Sequence, residues 1–233
     1  MNKLHQSVHS GLIRDYNADW PSNHEKVTDP MNINPYDLAP KDVYKLMTGS
    51  IVPRAIAWVS TVSADGVPNL APFSYFSAVS NDPPTVLFCP GMRGDTGEKD
   101  TYQNVLDTGE FVINFVSEDL MEAMNITATE LPPHVNEFER AGLTAQPAVA
   151  VNVPRVKESP IHFECKLLQT VTIGHGHIVI GDVVHMHFDN AVYRENNYID
   201  IAAYKPLGRL AGSQYTRVSE ILEIARLPSE LED

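Results

Sequence analysis

Basic residues are scarce in this chain of 233 residues. Its 17 lysines and arginines stand against 30 aspartates and glutamates, which gives a formal net charge of -13. A field of that sign repels the phosphate backbone of nucleic acids and the anionic surface of membranes. We therefore expect neither a nucleic acid nor a membrane as a partner, and an anionic ligand must be held by a local cluster of donors.

Long apolar runs and cysteines are also few. No run of about 18 apolar residues occurs, and the polar stretch from Met1 to Asp29 lacks the apolar centre of a secretory signal. The sequence thus predicts a cytoplasmic protein. The 2 cysteines, Cys89 and Cys165, are too few for a disulfide framework, although one bridge between them stays open. Both lie in apolar stretches, which favours buried thiols over redox-active ones.

Two common nucleotide-binding motifs are missing. The sequence has neither a P-loop nor a Gly-x-Gly-x-x-Gly turn after a strand, so a Rossmann-type nicotinamide site is not indicated. The glycine-rich stretch Gly91–Gly97 has the spacing of neither motif. We interpret it as a loop.

The apolar pattern predicts one mainly β domain with helical decoration. Short β-branched and aromatic segments alternate with turn residues such as Asp65-Gly66, which is typical of antiparallel strands in a barrel or sandwich. We predict an N-terminal arm over residues 1–35, this domain over residues 36–215, and a C-terminal helix with an acidic tail over residues 216–233. The C-terminal helix is placed from about Val218 to Ala225.

The most informative segments run from Thr48 to Thr61 and from Pro68 to Ser80. They contain Pro53-Arg54-Ala55-Ile56-Ala57-Trp58 and Asn69-Leu70-Ala71-Pro72-Phe73-Ser74, and they are followed by Asp82-Pro83-Pro84 and Lys99-Asp100-Thr101. The combination resembles the flavin-reductase-like FMN-binding split-barrel family, in its longer-chain, flavoredoxin-type branch. The resemblance spans about Thr48 to Tyr215. It implies a split β-barrel that binds FMN, docks NADH or NADPH transiently and forms a homodimer. The N-terminal arm is consistent with such a dimer, and its role is left open by the sequence.

The residue types in these segments suit FMN. Its phosphate needs cations and hydroxyl groups, which Arg54, Lys99, Ser74, Ser77 and Thr101 offer, the last near a predicted helix start. The two cations have a simpler interpretation as well, because each can pair with one of the many acids.

The flavin ring needs backbone donors and flat apolar neighbours. Prolines at positions 68 and 72 disturb the ladder of a strand, and we expect them to leave backbone donors for the ring edge. Phe73, Tyr75 and Phe76 either pack on the ring or belong to the core. Together with the resemblance, which adds Arg209 close to the flavin or the dimer interface, these arguments predict the cofactor-binding residues Arg54, Asn69, Ala71, Pro72, Phe73, Ser74, Tyr75, Phe76, Ser77, Lys99, Asp100, Thr101 and Arg209.

Four histidines fall close together in the sequence: His175, His177, His185 and His187. A His-x-His pair on a strand points both rings to one face, as in some metal sites, but no carboxylate stands at convincing spacing. We therefore predict no metal. By the resemblance, His177 is the candidate for a catalytic residue near the nicotinamide or the flavin.

The sequence thus predicts an NAD(P)H-dependent flavin reductase with FMN and a transient nicotinamide as its small-molecule partners. One alternative is an FMN-containing electron-transfer or flavin-carrier protein without nicotinamide activity. Another is a barrel that binds a metal through its histidines. The choice between NADH and NADPH, the final electron acceptor, and the status of flavin as prosthetic group or substrate are left open by the motifs.

Overall fold

The computed structural model describes residues 30–93, 97–132, 134–225 and 227. Most of the predicted N-terminal arm, part of the glycine-rich loop and the end of the acidic tail lie outside these ranges. The chain divides into one unit up to Val43 and another from Tyr44 onward. In the first unit a 3₁₀ turn covers Pro35–Asp37, and the Asn34 side chain caps it by accepting a hydrogen bond from the Tyr36 N–H at 3.3 Å.

A seven-stranded antiparallel sheet forms the body of the second unit, with the strand order β2-β1-β7-β10-β11-β4-β3. Its strands are β1 (Ala57–Val62), β2 (Pro68–Phe73), β3 (Phe76–Asn81), β4 (Pro84–Phe88), β7 (Glu110–Phe115), β10 (Ile161–Ile173) and β11 (Gly176–Phe188). Two-stranded ribbons surround this sheet: β5 (Met92–Arg93) with β6 (Gly97–Glu98), β8 (Ala145–Gln146) with β9 (Arg155–Val156), β12 (Tyr193–Arg194) with β13 (Tyr198–Ile199), and β14 (Leu207–Arg209) with β15 (Tyr215–Arg217).

Short helices decorate the sheet. They are α1 (Pro40–Ser50), α2 (Asp100–Thr108), α3 (Met121–Thr127), α4 (Glu137–Arg140) and α5 (Ile201–Tyr204), with further 3₁₀ turns at Glu118–Leu120 and Glu195–Asn197. Helix α2 ends at Gly109, whose φ of 70° lies in the left-handed region that glycine adopts without strain. No helix in the described part of the chain is long and apolar enough to cross a membrane.

The two edge strands of the sheet, β2 and β3, are consecutive in the chain. Ser74 and Tyr75 alone join them, so the Cα atoms of Phe73 and Phe76 are at most about 11 Å apart. A sheet whose outer strands meet at one end must curl on itself. The expected mainly β split barrel with helical decoration is confirmed, and the split lies between β2 and β3.

Strand β1 is buried on both of its faces. Ala57 and Val59 point into the cluster between the strands, whereas Trp58 packs on the other side with Met124 of α3 and Phe138 of α4, as the alternation of side chains along a strand requires. The Trp58 indole N–H donates to Thr127 Oγ1 at 2.8 Å. The helices therefore cover the outer face of the strand next to the split.

One local expectation is wrong. Residues 218–225, where we predicted a C-terminal helix, form no helix. The apolar side chains of that segment find no surface to cover, since Ile224 is 91% exposed. A short helix without such packing is marginal in water.

Candidate functional site

The two prolines of β2 occupy positions that need no backbone donor. The Ser63 N–H donates to the Val67 carbonyl at 2.9 Å, and from this hydrogen-bonded pair the antiparallel register alternates. The pairs Thr61–Asn69, Val59–Ala71 and Ala57–Phe73 therefore exchange hydrogen bonds. Pro68, Leu70 and Pro72 carry the backbone groups that face the split.

The split edge of β2 consequently differs from the expectation that its prolines would free donors for a ligand. The amides of Asn69, Ala71 and Phe73 bind β1. The outward N–H of Leu70 donates to Glu137 Oε2 at 3.2 Å. Glu137 begins α4 and is buried, so its carboxylate caps the one outward amide of this edge, and prolines blunt the edge on either side.

Backbone donors occur instead at the link between the edge strands. Within the described ranges the N–H groups of Ser74 and Tyr75 have no hydrogen-bond partner. The Tyr75 carbonyl accepts from the Cys89 N–H at 2.9 Å, which fixes the direction of the link. Backbone N–H groups without a partner in the protein are available to an acceptor oxygen of a ligand.

A first cavity of about 180 Å³ lies on the β2 side of this link. Its lining includes seven of the predicted residues: Asn69, Ala71, Pro72, Phe73, Lys99, Asp100 and Thr101. It is closed by the segment after α3 and by Glu137. Strand β2 and the start of α2, which the sequence prediction assigned to one site, thus line one cavity.

Buried hydrogen bonds fix the polar floor of the first cavity. Asn69 Nδ2 donates to Thr101 Oγ1 at 2.9 Å and lies 3.2 Å from Thr61 Oγ1. Asn104 Nδ2 donates to the same Thr61 oxygen at 3.0 Å. Because Thr101 is only 1% exposed, its hydroxyl is held at one place at the start of α2, where helix amides favour an anion.

The cation of this cavity already has a partner. Lys99 stands at the N-cap of α2, and its Nζ lies 2.6 Å from Glu130 Oε1. Asp100, Glu130 and Glu137 also line the cavity, so carboxylates outnumber the one ammonium group. Sequence reasoning missed Glu130 and Glu137, and no local pattern distinguishes them from the other acids of this chain.

A second cavity of about 490 Å³ lies on the other side of the link. It contains the remaining predicted residues of the central segment, and its lining comprises Met47, Ile51, Pro53, Arg54, Ala55, Ser74, Tyr75, Phe76, Ser77 and Leu87. The predicted cofactor residues other than Arg209 therefore divide between two cavities, the first lined up to Phe73 and the second from Ser74 onward.

The guanidinium group of Arg54 is engaged by the protein. Its Nε donates to Ser74 Oγ at 3.3 Å, its Nη1 to the carbonyls of Thr48 and Ile51, and its Nη2 to the Leu210 carbonyl at 2.8 Å. The side chain is 7% exposed. Arg54 thus ties the end of α1 and the segment after β14 to the link.

Arg209 lies beside Arg54 but lines neither cavity. The two residues exchange backbone hydrogen bonds of 2.9 Å. The Arg209 guanidinium stacks over the Tyr215 ring, 4.5 Å from its centroid, and donates to the Tyr215 hydroxyl and to the Gly212 carbonyl. These contacts stay within the β14–β15 ribbon.

His177 also lines neither cavity. Its ring stacks on Tyr102 at a centroid distance of 4.2 Å, and its Nδ1 lies 3.0 Å from Thr172 Oγ1. Its Nε2 is 2.9 Å from Glu98 Oε2, but the angles do not form a hydrogen bond. This residue therefore connects β11 to α2 and to the β5–β6 ribbon.

The four histidines do not converge. The rings of His185 and His187 lie 4.6 Å apart, and His187 Nε2 contacts Glu164 Oε1 at 2.5 Å, whereas His177 pairs elsewhere. Among the residues that the structure describes, no group of three or more histidine, cysteine or acidic side chains is arranged to hold a metal ion.

A second buried polar cluster surrounds Glu164, away from both cavities. Burial acts to raise the pKa of Glu164, but hydrogen bonds from His187 and from the N–H groups of Val149 and Ala150 hold it below its usual range. Burial lowers the pKa of the neighbouring His162 to about 4. The cluster anchors the loop at residues 149–150 to the sheet.

Both cysteines have free thiols. Burial raises the pKa of Cys89 and of Cys165, which lowers the fraction of reactive thiolate at neutral pH. Cys165 is buried as expected, whereas Cys89 is half-buried, and the bridge left open by the sequence is not formed.

Comparisons with known proteins agree with this architecture. The family model described as "Flavin reductase like domain" matches residues 48–208. An uncharacterized protein of Aquifex aeolicus is 45% identical over 175 residues, which are 75% of this chain and 89% of that protein. The crystal structure of nitrilotriacetate monooxygenase component B from Bacillus cereus superimposes with a TM-score of 0.81 at 37% identity, covering 84% of this chain and 99% of that one.

A second solved structure, the 2-nitrobenzoate 2-nitroreductase of Pseudomonas fluorescens, gives a TM-score of 0.78 at 29% identity over 87% of this chain and 99% of that one. The matched region contains the whole seven-stranded sheet, the first cavity and all of the second cavity's lining except Met47. The protein belongs to the flavin reductase-like domain family of flavin-related oxidoreductases.

Proposed function

We propose that the protein binds FMN along the split of its barrel and works as an NAD(P)H-dependent flavin reductase. The observation that carries this proposal is the placement of Asn69, Lys99 and Thr101 around one cavity at the start of α2, with free amides at Ser74 and Tyr75 in the link that follows β2. One end of the split suits a dianion and the other suits a ring with carbonyl and nitrogen acceptors.

The phosphate binds at the first cavity. The first turn of a helix presents amides without intrahelical partners, and these attract anions. The hydroxyl of Thr101, fixed by Asn69, and the ammonium group of Lys99 add donors at the same place. Arg54 is not needed for the phosphate, because its guanidinium group holds the link instead.

The ring binds beside the link. The amides of Ser74 and Tyr75 donate to its polar edge, where preorganised donors favour the negative charge of the reduced form. Bound there, FMN would supply the redox chemistry, namely hydride acceptance from a reduced nicotinamide and two-electron delivery to an acceptor. No side chain of this chain has to act as an acid or base, and the protein contributes position and donors.

The nicotinamide docks in the second cavity. Tyr75, Phe76, Met47 and Ile51 give this cavity an apolar and aromatic lining, which suits a flat ring laid against the flavin. A motif-free site of this kind agrees with the absence of a Gly-x-Gly-x-x-Gly turn. His177 lies outside both cavities and receives no role in hydride transfer. The resemblance also leads us to expect a homodimer, which light scattering on the purified protein checks.

An anaerobic assay tests this function. The purified protein at catalytic concentration is mixed with excess FMN and NADH or NADPH, and the loss of the oxidised flavin band is followed. Bleaching of many equivalents of FMN supports the reductase. Tight FMN binding without bleaching by either nicotinamide overturns the reductase and favours the flavin carrier, and absence of FMN binding overturns both.

A further inference from the structure

Lys99, the cation that the first cavity offers to a phosphate, is already paired with Glu130. Lys99 Nζ and Glu130 Oε1 are 2.6 Å apart, and the two side chains are 26% and 54% exposed. Both residues line the cavity together with Asn69 and Thr101. A phosphate that binds to Lys99 must therefore displace the Glu130 carboxylate or share the ammonium group with it.

The charges around this cavity make that competition costly for a dianion. A phosphate monoester carries a charge of about -1.5 to -2 at neutral pH. Asp100 and Glu137 are near neighbours that also bear carboxyl groups, so displacing Glu130 leaves three acids around a second anion. A flavin without a phosphate brings no such charge and need not disturb the ion pair.

We infer that Glu130 is a specificity-determining residue that competes with the flavin phosphate for Lys99 and so reduces the preference for FMN over riboflavin. This inference rests on the proposed function. It makes FMN an exchanging ligand, because the ion pair re-forms as the phosphate leaves and thereby stabilises the flavin-free protein.

The expected size of the effect follows from the exposure of the pair. A partly exposed ion pair changes an equilibrium by roughly 1.5- to 5-fold, and the repulsion between a carboxylate and a dianion adds a similar factor. Glu130→Gln should therefore tighten FMN binding by roughly 2- to 30-fold. Salt should reduce this gain, since both contributions are screened.

The test compares two flavins on matched variants. Dissociation constants of FMN and riboflavin are measured by quenching of flavin fluorescence for the wild type, Glu130→Gln and Asp107→Asn. Asp107 lies on helix α2, which begins after Lys99, and it accepts a hydrogen bond from Gln103 Nε2 at 2.8 Å. The Asp107→Asn substitution also removes one negative charge, but about 10 Å farther along the helix from Lys99. The inference predicts tighter FMN binding for Glu130→Gln alone, with riboflavin unchanged within about twofold.

A double-mutant cycle with Lys99→Met separates competition from simple repulsion. If Glu130 competes for Lys99, then Glu130→Gln should tighten FMN binding less when Lys99 is absent. An equal gain with and without Lys99, an equal gain for FMN and riboflavin, or no gain at all overturns the inference. Failure of the wild type to bind either flavin overturns the proposed function itself, so the two failures are distinguishable.

Discussion

Arg54 holds Ser74 in place: its Nε donates to Ser74 Oγ at 3.3 Å, while its other N–H groups bind carbonyls of Thr48, Ile51 and Leu210. The residue that offers a free amide beside the split is thereby fastened to segments far away in the sequence. A cation that the sequence marked as a phosphate ligand serves as a clamp.

Arg54→Lys should destabilise the protein by at least about 2 kcal/mol, because an ammonium group cannot reach all of these acceptors and leaves buried carbonyls unpaired. Urea unfolding measures the loss, and FMN affinity should fall with it. Arg140→Lys, at an exposed position on α4, is the control and should change stability by less than about 0.5 kcal/mol. Equal stability of the two variants would contradict the clamp.

Thr101→Val should weaken FMN binding by roughly 10- to 100-fold, since a hydrogen bond to a charged group is worth about 1.5–3 kcal/mol. Valine keeps the shape of threonine but removes the hydroxyl that Asn69 orients. Thr108→Val is the matched control, because the Thr108 hydroxyl donates to the Asn104 carbonyl at 2.7 Å at the far end of α2. Fluorescence titration should show that Thr101→Ser retains most of the affinity, and equal binding by both valine variants would remove Thr101 from the site.

Lowering the pH should reduce the free energy of unfolding, because His162 is protonated more readily in the unfolded chain than in the folded one. In the unfolded chain this histidine takes up a proton near its ordinary pKa of 6.5, whereas burial holds the folded pKa at about 4. The unfolded state therefore binds more protons between these values, and the free energy of unfolding should fall by about 2 kcal/mol from pH 7 to pH 5 on this account. At pH 5 the Glu164 carboxyl, whose pKa is lowered, remains ionised.

Urea unfolding of His162→Gln at both pH values checks this expectation. The difference between pH 7 and pH 5 should shrink by most of that amount. His134→Gln, which changes an exposed histidine, should leave the pH dependence as in the wild type. If the free energy of unfolding of His162→Gln falls between pH 7 and pH 5 as much as that of the wild type, the acid sensitivity comes from other groups.

Gly181→Ala should destabilise the sheet. A Cβ at this position of β11 would overlap the Phe111 ring, with Cε1 2.8 Å away, and would crowd Cys165 Cβ at 3.4 Å. Phe111 is fully buried and cannot turn aside, so overpacking should cost about 1–3 kcal/mol. Gly97→Ala adds a methyl group in open space, and a thermal melt should show little change for it.

The sequence was informative where local chemistry decides the structure. Turn residues such as Asp65-Gly66 and β-branched runs predicted the strands, and Lys99-Asp100-Thr101 predicted the start of α2. The resemblance also placed the central segment at the site. Contacts between distant residues could not be predicted: Arg54 donates to the carbonyl of Leu210, 156 residues away, and no local pattern pairs the two.

The backbone at the split likewise combines features that the local sequence predicts with features that only the tertiary structure determines. The spacing of Pro68 and Pro72 puts both on one side of β2, but the register from the Ser63–Val67 pair determines that this side faces outward. The break at Ser74 interrupts a run that remains apolar and aromatic, so no residue type announced it. Glu130 and Glu137 are two of 30 acids, and tertiary structure alone selects them.

The two-residue connection between Phe73 and Phe76 determines where the two outer strands can move apart. Strands β2 and β3 are joined at that point. They can therefore separate only at their opposite ends, at Pro68 of β2 and Asn81 of β3. Native-state amide exchange should accordingly be fastest at the Asp65-Gly66 hairpin and slow down toward Phe73. Under the proposed function, we expect FMN to enter through the end that opens and to rest against the end that does not.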